Sequence, residues 1–262
     1  MDRDRAFAAF ALQAAEDAGA AILPHFRASI DVEDKGGARG YDPVTQADRA
    51  AEAVIRDAIA RRYPGHGIDG EEHGRHRGSS PFTWVIDPID GTRSFILGQL
   101  HWATLIALHD GTRPIVGVTH QPFVGESFIA MDGRADWRRG AERKALRTRH
   151  CPRVGEAIVA TTDPRHFTSA RQMNAYAAAT DGTRFVRYGG DCYCYTQLAM
   201  GLVDIAIETG LQAYDIQALI PLIENAGGAI SNWEGGPCDG GGDVLAAGDP
   251  ALHAQLLRRI GG

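Results

Sequence analysis

Residues 84–108 read WVIDPIDGTRSFILGQLHWATLIAL. The apolar, β-branched run at 83–86 predicts an interior strand, and Asp87-Pro88-Ile89-Asp90-Gly91-Thr92 is expected to stop it abruptly. Pro88 locks φ and lacks an N–H, and Gly91 permits close backbone approach, so Asp87 and Asp90 are expected on a rigid turn. Two carboxylates this close share a proton or share a cation, and a hard divalent ion such as Mg²⁺ suits oxygen ligands. A phosphate is then the natural third party. Read alone, the six residues fit an ordinary β-turn equally well, so the remaining carboxylates must decide.

The chain has 262 residues, 44% of them apolar, enough for one large domain or two closely packed ones. Lys and Arg number 27 against 33 Asp and Glu, a net charge of −6, which offers no long-range basic field to nucleic acid or an anionic membrane. Any phosphate binding must be local and metal-assisted. The opening residues 1–26 read as a helix and not a secretory leader, because Asp2, Asp4, Glu16 and Asp17 interrupt the apolar run. No transmembrane segment is expected elsewhere. Cys151, Cys192, Cys194 and Cys238 form neither a disulfide framework nor a zinc-type pair, and are expected as reduced thiols of a cytoplasmic protein.

Phe7, Phe10, Ala11, Ala14, Ala18 and Ile22 recur at helical spacing, so the first helix should end near Pro24. Residues 29–41 read as a short strand leading into a glycine-rich loop. Residues 42–48, DPVTQAD, open a second helix with Thr45 and Asp48 spaced as a capping box. Asp48 therefore has two readings: it bonds back to the helix start, or it points outward to orient a water. Residues 66–72, HGIDGEE, predict a strand that delivers Glu71 beside Asp87 as a third carboxylate, against the alternative of a solvated acidic turn for Glu71 and Glu72. Residues 104–108, 114–120 and 126–131 predict an antiparallel meander, and the charged stretch 132–151 a solvated face. From 157 the rhythm changes to alternating strand and helix, which suggests an N-terminal α+β half over 1–150 and a C-terminal α/β half over 151–262. In the latter, Asp191 is expected to cap a helix over 191–200, Glu208 to end a strand, and Asp215 to start a helix over 216–226 that Pro221 kinks after its first turn.

Glu71-Glu72, DPIDGT at 87–92 and YDIQALIPLIENAGG at 214–228 resemble the three metal-site motifs of the inositol monophosphatase family, over nearly the whole chain. The flanks DGTRSFILG, GVTHQPFVGE, YGGDCYCY and ETGLQAYDIQ are most similar to the family's histidinol-phosphate phosphatases. The resemblance implies an α+β fold, a layered αβαβα sandwich, and Mg²⁺-dependent hydrolysis of a phosphate monoester by a homodimer. By position it implies that Glu71, Asp87 and the carbonyl of Ile89 hold one metal, and Asp87, Asp90 and Asp215 a second, with Glu71 touching a third. Gly91 and Thr92 would offer N–H groups to the phosphate, and Thr92 with Asp48 would activate water. Asp191 and Glu208, with Asp215, would line the leaving-group side. The family's frequent asparagine after DGT-x is Ser94 here, preceded by Arg93, which resembles the histidinol-phosphate branch and departs from the inositol one.

Three functions follow: a histidinol-phosphate phosphatase, a broader inositol or sugar phosphatase, and, from another class, a binding protein like the extragenic-suppressor relatives of the family. The last needs an exposed basic or apolar docking patch, and a net charge of −6 gives it little support.

Overall fold

Trp84 and Ile86 pack on one side of a strand and Val85 on the other, so the 83–86 run is sandwiched between two apolar layers. That strand is the middle of a computed structural model which describes residues 2–29, 31–36 and 43–261. In chain order, α1 (Asp2–Ile22) leads through a 3₁₀ turn to the short strands β1 (Val32–Asp34) and β2 (Pro43–Thr45), which pair antiparallel, and then α2 (Gln46–Arg62). β3 (Gly67–Gly70), β4 (Gly74–His76) and β5 (Thr83–Asp90) follow, then α3 (Thr92–Ile96). The meander consists of β6 (Ala103–His109), β7 (Pro114–Gln121), β8 (Glu126–Met131), β9 (Arg134–Arg139) and β10 (Glu142–Ala145). The C-terminal part runs β11 (Ile158–Thr161), α4 (Ala170–Thr180), β12 (Phe185–Tyr188), α5 (Cys192–Ala199) and β13 (Ile205–Leu211). It ends with α6 (Ala213–Ile216), α7 (Leu219–Ala226), β14 (Ala229–Asn232), β15 (Gly242–Ala247) and α8 (Pro250–Gly261).

An eight-stranded sheet of order β10-β9-β8-β7-β6-β5-β3-β4 and a five-stranded sheet of order β12-β11-β13-β15-β14 form two of five layers. Helices α1 and α2 cover the outer face of the large sheet through Ala11, Ala15, Ile55 and Ile59 against Trp84, Ile106 and Val118. Helices α5 and α7 fill the space between the sheets, where Leu198, Leu219 and Ile223 meet Leu105 and Phe128 on one side and Ala206 and Ala246 on the other. Helices α4 and α8 close the far side over Ile205, Ile207 and Leu245. Period-two alternation therefore divides the central strands between two cores, giving the expected αβαβα sandwich. The segment Arg3–His25 has the length and composition of a membrane span. Here Ala11, Ala15, Ala18 and Ile22 are fully buried, because α1 packs on the sheet and on α2.

Several boundaries differ from the sequence reading. The strand does not stop at Ile86: β5 continues to Asp90 through a register shift against β6 between Asp87 and Asp90. Pro88 has no N–H for the ladder, and a bulge is where an interior strand tolerates one. The Thr104 hydroxyl donates to the Pro88 carbonyl at 2.8 Å and so satisfies the displaced acceptor. Residues 43–45 form a strand rather than helix, while Asp42 and the loop expected at 37–41 lie outside the described residues. The charged stretch 132–151 contains β9 and β10, and β10, exposed along its length, is the sheet's edge. Charge on an edge strand discourages pairing with other chains.

The helix expected over 216–226 is two helices. Backbone angles at Gln217 and Ala218 remain helical, but the hydrogen-bond ladder breaks there, one turn before Pro221. A proline ring removes the bond to the carbonyl four residues earlier, here that of Gln217, so the break lies upstream of Pro221. Pro221 itself sits in the first turn of α7, where its missing N–H costs nothing.

Candidate active site

Parallel pairing of β3 with β5 aligns Gly70 with Ile86, which brings the next residues, Glu71 and Asp87, side by side at the strand ends. The amide of Glu71 donates to the Ile86 carbonyl at 3.1 Å. The bulge then turns Asp90 back toward Asp87. Asp215 arrives from α6, which packs on β5 and β6, and its Oδ2 accepts the Gln212 amide at 2.7 Å. Ligand-capable oxygens of Asp87, Asp90 and Asp215 all lie within 4.8 Å of one another. Two segments far apart in sequence, β5 and α6, thus deliver three carboxylates to one point.

That arrangement is electrostatically unfavourable without a cation. Burial, and then the charges of Glu71, Asp90 and Asp215, push the Asp87 carboxyl well above its usual range. Burial, then Asp191 and Asp215, do the same to Asp90. Glu71 is raised to about 7, chiefly by burial, although Lys35 opposes the shift. Asp87 is 2% exposed, and its Oδ1 is buried without a hydrogen-bond partner. An orphaned acceptor among hard oxygen donors fits Mg²⁺ or a similar divalent cation, and does not fit a thiophilic one.

Neighbouring residues hold these carboxylates in place. The Cys192 amide, at the start of α5, donates to Asp90 Oδ2 at 2.7 Å. Lys35 Nζ bridges Glu71 Oε1 and Glu72 Oε1 at 2.8 Å each. Burial works against the Lys35 charge, yet the two glutamates raise its pKa above the ordinary value. Fully buried Glu52 on α2 accepts the Glu72 amide at 2.6 Å and the His73 amide at 3.1 Å, so it shapes the turn that presents Glu71. Neither Lys35 nor Glu52 was singled out in the sequence. Both act across separations that no local motif encodes.

Asp48 takes the capping alternative with one oxygen and leaves the other without a partner. Its Oδ2 accepts the Thr45 amide at 2.8 Å and the Thr45 hydroxyl at 2.6 Å, completing the capping box of α2. Its Oδ1 is buried and has no hydrogen-bond partner. Burial raises this carboxyl to about 6 against the opposing hydrogen bonds from Thr45. The Thr92 hydroxyl donates to the Ile89 carbonyl at 3.0 Å, so Thr92 and Asp48 are not hydrogen-bonded to each other. Gly91, at φ 83°, is the left-handed N-cap of α3, a conformation that side chains disfavour.

A cleft of about 530 Å³ opens beside the aspartates, lined by Glu71, Asp90, Gly91, Thr92, Asp191, Glu208 and Asp215 among others. Asp191 occupies the N-cap position of α5, but its side chain caps nothing. Its Oδ2 accepts instead from the Ser94 hydroxyl at 2.9 Å. Buried Glu208 accepts the Thr162 amide at 2.6 Å, and the Thr162 hydroxyl accepts the Asp191 amide at 3.2 Å. Arg93 reaches His166 Nε2 at 3.3 Å on the cleft rim. Tyr195, another lining residue missed in the sequence, has a buried hydroxyl without a hydrogen-bond partner. Its signal was only one aromatic in YGGDCYCY, where Tyr193 instead bonds Glu126.

The inositol monophosphatase family profile matches residues 3–261. The chain is 39% identical to the bifunctional phosphatase IMPL2, chloroplastic, of Arabidopsis thaliana, over 97% of this chain and 75% of that protein. It is 32% identical to the histidinol-phosphatase of Chlorobaculum parvum, over 96% of this chain and 95% of that one. Among solved structures, an inositol monophosphatase from Zymomonas mobilis superimposes with a TM-score of 0.86 at 34% identity, covering 98% of each chain. The family comprises metal-dependent phosphatases, in keeping with the acidic cluster of Asp87, Asp90 and Asp215. A profile match from end to end and the same five-layer architecture make this chain a member of the inositol monophosphatase family.

Proposed function

We propose that the chain hydrolyses histidinol phosphate to histidinol and phosphate, with Mg²⁺ as cofactor. One observation carries the choice of substrate: the cleft holding the aspartate cluster is also lined by Asp191 and Glu208, two carboxylates beyond the proposed cation ligands. Histidinol phosphate bears an ammonium group, and inositol phosphates do not. An inositol or sugar phosphatase is the second reading, favoured by the neutral lining residues Thr168, Gln172 and Thr209.

In this proposal Glu71, Asp87, the Ile89 carbonyl, Asp90 and Asp215 hold two or three Mg²⁺ ions. When bound, such ions polarise phosphoryl oxygens, acidify water and stabilise a leaving alkoxide. Gly91 and Thr92 present their N–H groups to the phosphate. The Thr92 hydroxyl, its proton committed to the Ile89 carbonyl, offers its lone pairs to the attacking water. Asp48 Oδ1 accepts the proton from that water, and a carboxyl raised to about 6 suits a base working near neutrality. Residues 1–150 then supply most cation ligands, and residues 151–262 supply Asp215 and the substrate-side carboxylates. A cytoplasmic homodimer belongs to the same reading. Four free, buried thiols suit a reducing compartment, and exposed Phe185 and Tyr188 on edge strand β12 suit a subunit contact. Neither nucleic acid nor membrane takes part.

The test is phosphate release from histidinol phosphate, inositol 1-phosphate and glycerol 2-phosphate with Mg²⁺. The wild type is expected to favour the first. Asp191→Asn and Glu208→Gln should each lower kcat/KM for histidinol phosphate by about 10- to 150-fold, the loss of one charge-assisted hydrogen bond, and lower the others much less. A wild-type preference for inositol 1-phosphate would move the assignment to the second reading.

A further inference from the structure

Asp191 adopts φ 46° and ψ −136°, a region that residues with a side chain rarely occupy. Its three neighbours Gly189, Gly190 and Cys192 do not explain why an aspartate stands there, since its carboxylate caps no helix. The Ser94 hydroxyl, 97 positions away on α3, donates to Asp191 Oδ2 at 2.9 Å. The Thr162 hydroxyl holds the Asp191 amide at 3.2 Å. Asp191 Oδ1 has no hydrogen bond among the described residues, and the residue lines the cleft next to Gly91 and Asp90. Ser94 is 5% exposed and does not itself line the cleft, so it reaches the substrate space only through Asp191.

We propose that Ser94 is a positioning residue for substrate selectivity, its hydroxyl fixing one oxygen of Asp191 so that the other receives a protonated amine on the leaving alcohol. This rests on the amine-ester reading of the site. A carboxylate held by a single hydroxyl at one oxygen keeps one rotamer, and the cationic group then meets it without an ordering cost. Ser94 occupies the sequence position immediately after Arg93, on the rigid turn that also carries Asp90 and Thr92. The device therefore links the selectivity residue to the same element that presents the cation ligands. Replacing the hydroxyl leaves the Asp191 carboxyl in place but free to rotate.

The experiment is a double-mutant cycle on Ser94→Ala and Asp191→Asn, with kcat and KM measured on histidinol phosphate and on glycerol 2-phosphate in Mg²⁺. Ser94→Ala is expected to lower the ratio of kcat/KM for the amine ester over the neutral ester by about 5- to 10-fold, mainly through KM. In the Asp191→Asn background the same substitution should change that ratio less than two-fold, because its action passes through Asp191. Ser94→Thr, which keeps the hydroxyl, should recover the ratio, and a melting curve for each variant registers any purely structural effect. Equal losses on the two esters, or additive effects in the cycle, overturn the positioning role while leaving the substrate reading intact. A wild-type enzyme without preference for the amine ester overturns the substrate reading, and the selectivity role with it.

Discussion

The backbone amide of Cys192 donates to the carboxylate of Asp90 at 2.7 Å, joining the first turn of α5 to the end of β5 across 102 positions. This bond ties the middle helix layer to the bulged strand of the large sheet. It also occupies one Asp90 oxygen, whereas Asp87 Oδ1 keeps none of its hydrogen-bonding capacity filled. Asp87 is therefore the residue on which the proposed cation binding and apoprotein stability conflict most directly.

Asp87→Asn should lower kcat by on the order of 100- to 1000-fold, as loss of a principal electrostatic element does. The same change removes a buried charge repelled by Glu71, Asp90 and Asp215, so the metal-free protein should melt higher, by about 2–4 °C for ~1 kcal/mol in a chain this large. Glu72→Gln should matter far less to turnover, since Glu72 contacts Lys35 outside the cluster. Thermal melts in chelator and phosphate-release assays check both halves. Activity near wild type at saturating Mg²⁺ would remove Asp87 from the proposed ligands.

Stabilisation by Mg²⁺ should grow with pH between about 6 and 8. Glu71 is raised to about 7, and Asp87 and Asp90 are raised well above the carboxylate range. A raised carboxyl binds protons in the folded state that the unfolded chain has released, so its contribution to apoprotein stability falls as pH rises through the folded pKa. Below that pKa, protons occupy the oxygens and compete with the cation. The difference in Tm with and without Mg²⁺, measured across this range, cancels the histidines His66, His120 and His253, whose pKa values burial lowers in both states. A difference independent of pH would contradict protons and cations sharing these carboxylates.

Asp48→Asn should lower kcat strongly with little change in KM if, as proposed, its free oxygen acts only on the developing nucleophile. Thr45→Ala, by contrast, should cost about 1 kcal/mol of stability through loss of the N-cap hydroxyl. Steady-state kinetics and denaturant melts on the two variants separate the functions of the two oxygens. Preserved kcat with a lowered Tm in Asp48→Asn would mean that capping is its whole role.

Gly117→Ala should destabilise the fold by about 1–3 kcal/mol or prevent its accumulation. A Cβ at this position of β7 would run into the Ala218 carbonyl at the junction of α6 and α7, closer than real side chains approach backbone. Because that junction follows Asp215 directly, any surviving protein should also bind Mg²⁺ more weakly, as calorimetry can read. Unaltered stability and affinity would show that the junction moves freely.

The strands and helices, their two-faced burial and the identity of the acidic residues were legible from local pattern. The apolar run at Trp84, Val85 and Ile86, helical spacing in α1 and α2, and the Thr45–Asp48 capping box each express contacts a few residues long, which composition and spacing encode directly. The bulge that carries β5 past Pro88 was not legible, since it depends on Thr104 of the neighbouring strand satisfying the displaced carbonyl. The missing cap at Asp191 depends likewise on Ser94, and the setting of Glu71 on Lys35 and Glu52. A side chain with two oxygens can cap a helix with one and leave the other unpaired, as Asp48 does, and only tertiary burial decides which oxygen is left unsatisfied. Sequence alone thus determined which groups could carry charge at this site. Packing of separate segments decided which of those charges lack a partner, because desolvation and hydrogen-bond supply are properties of the assembled layers.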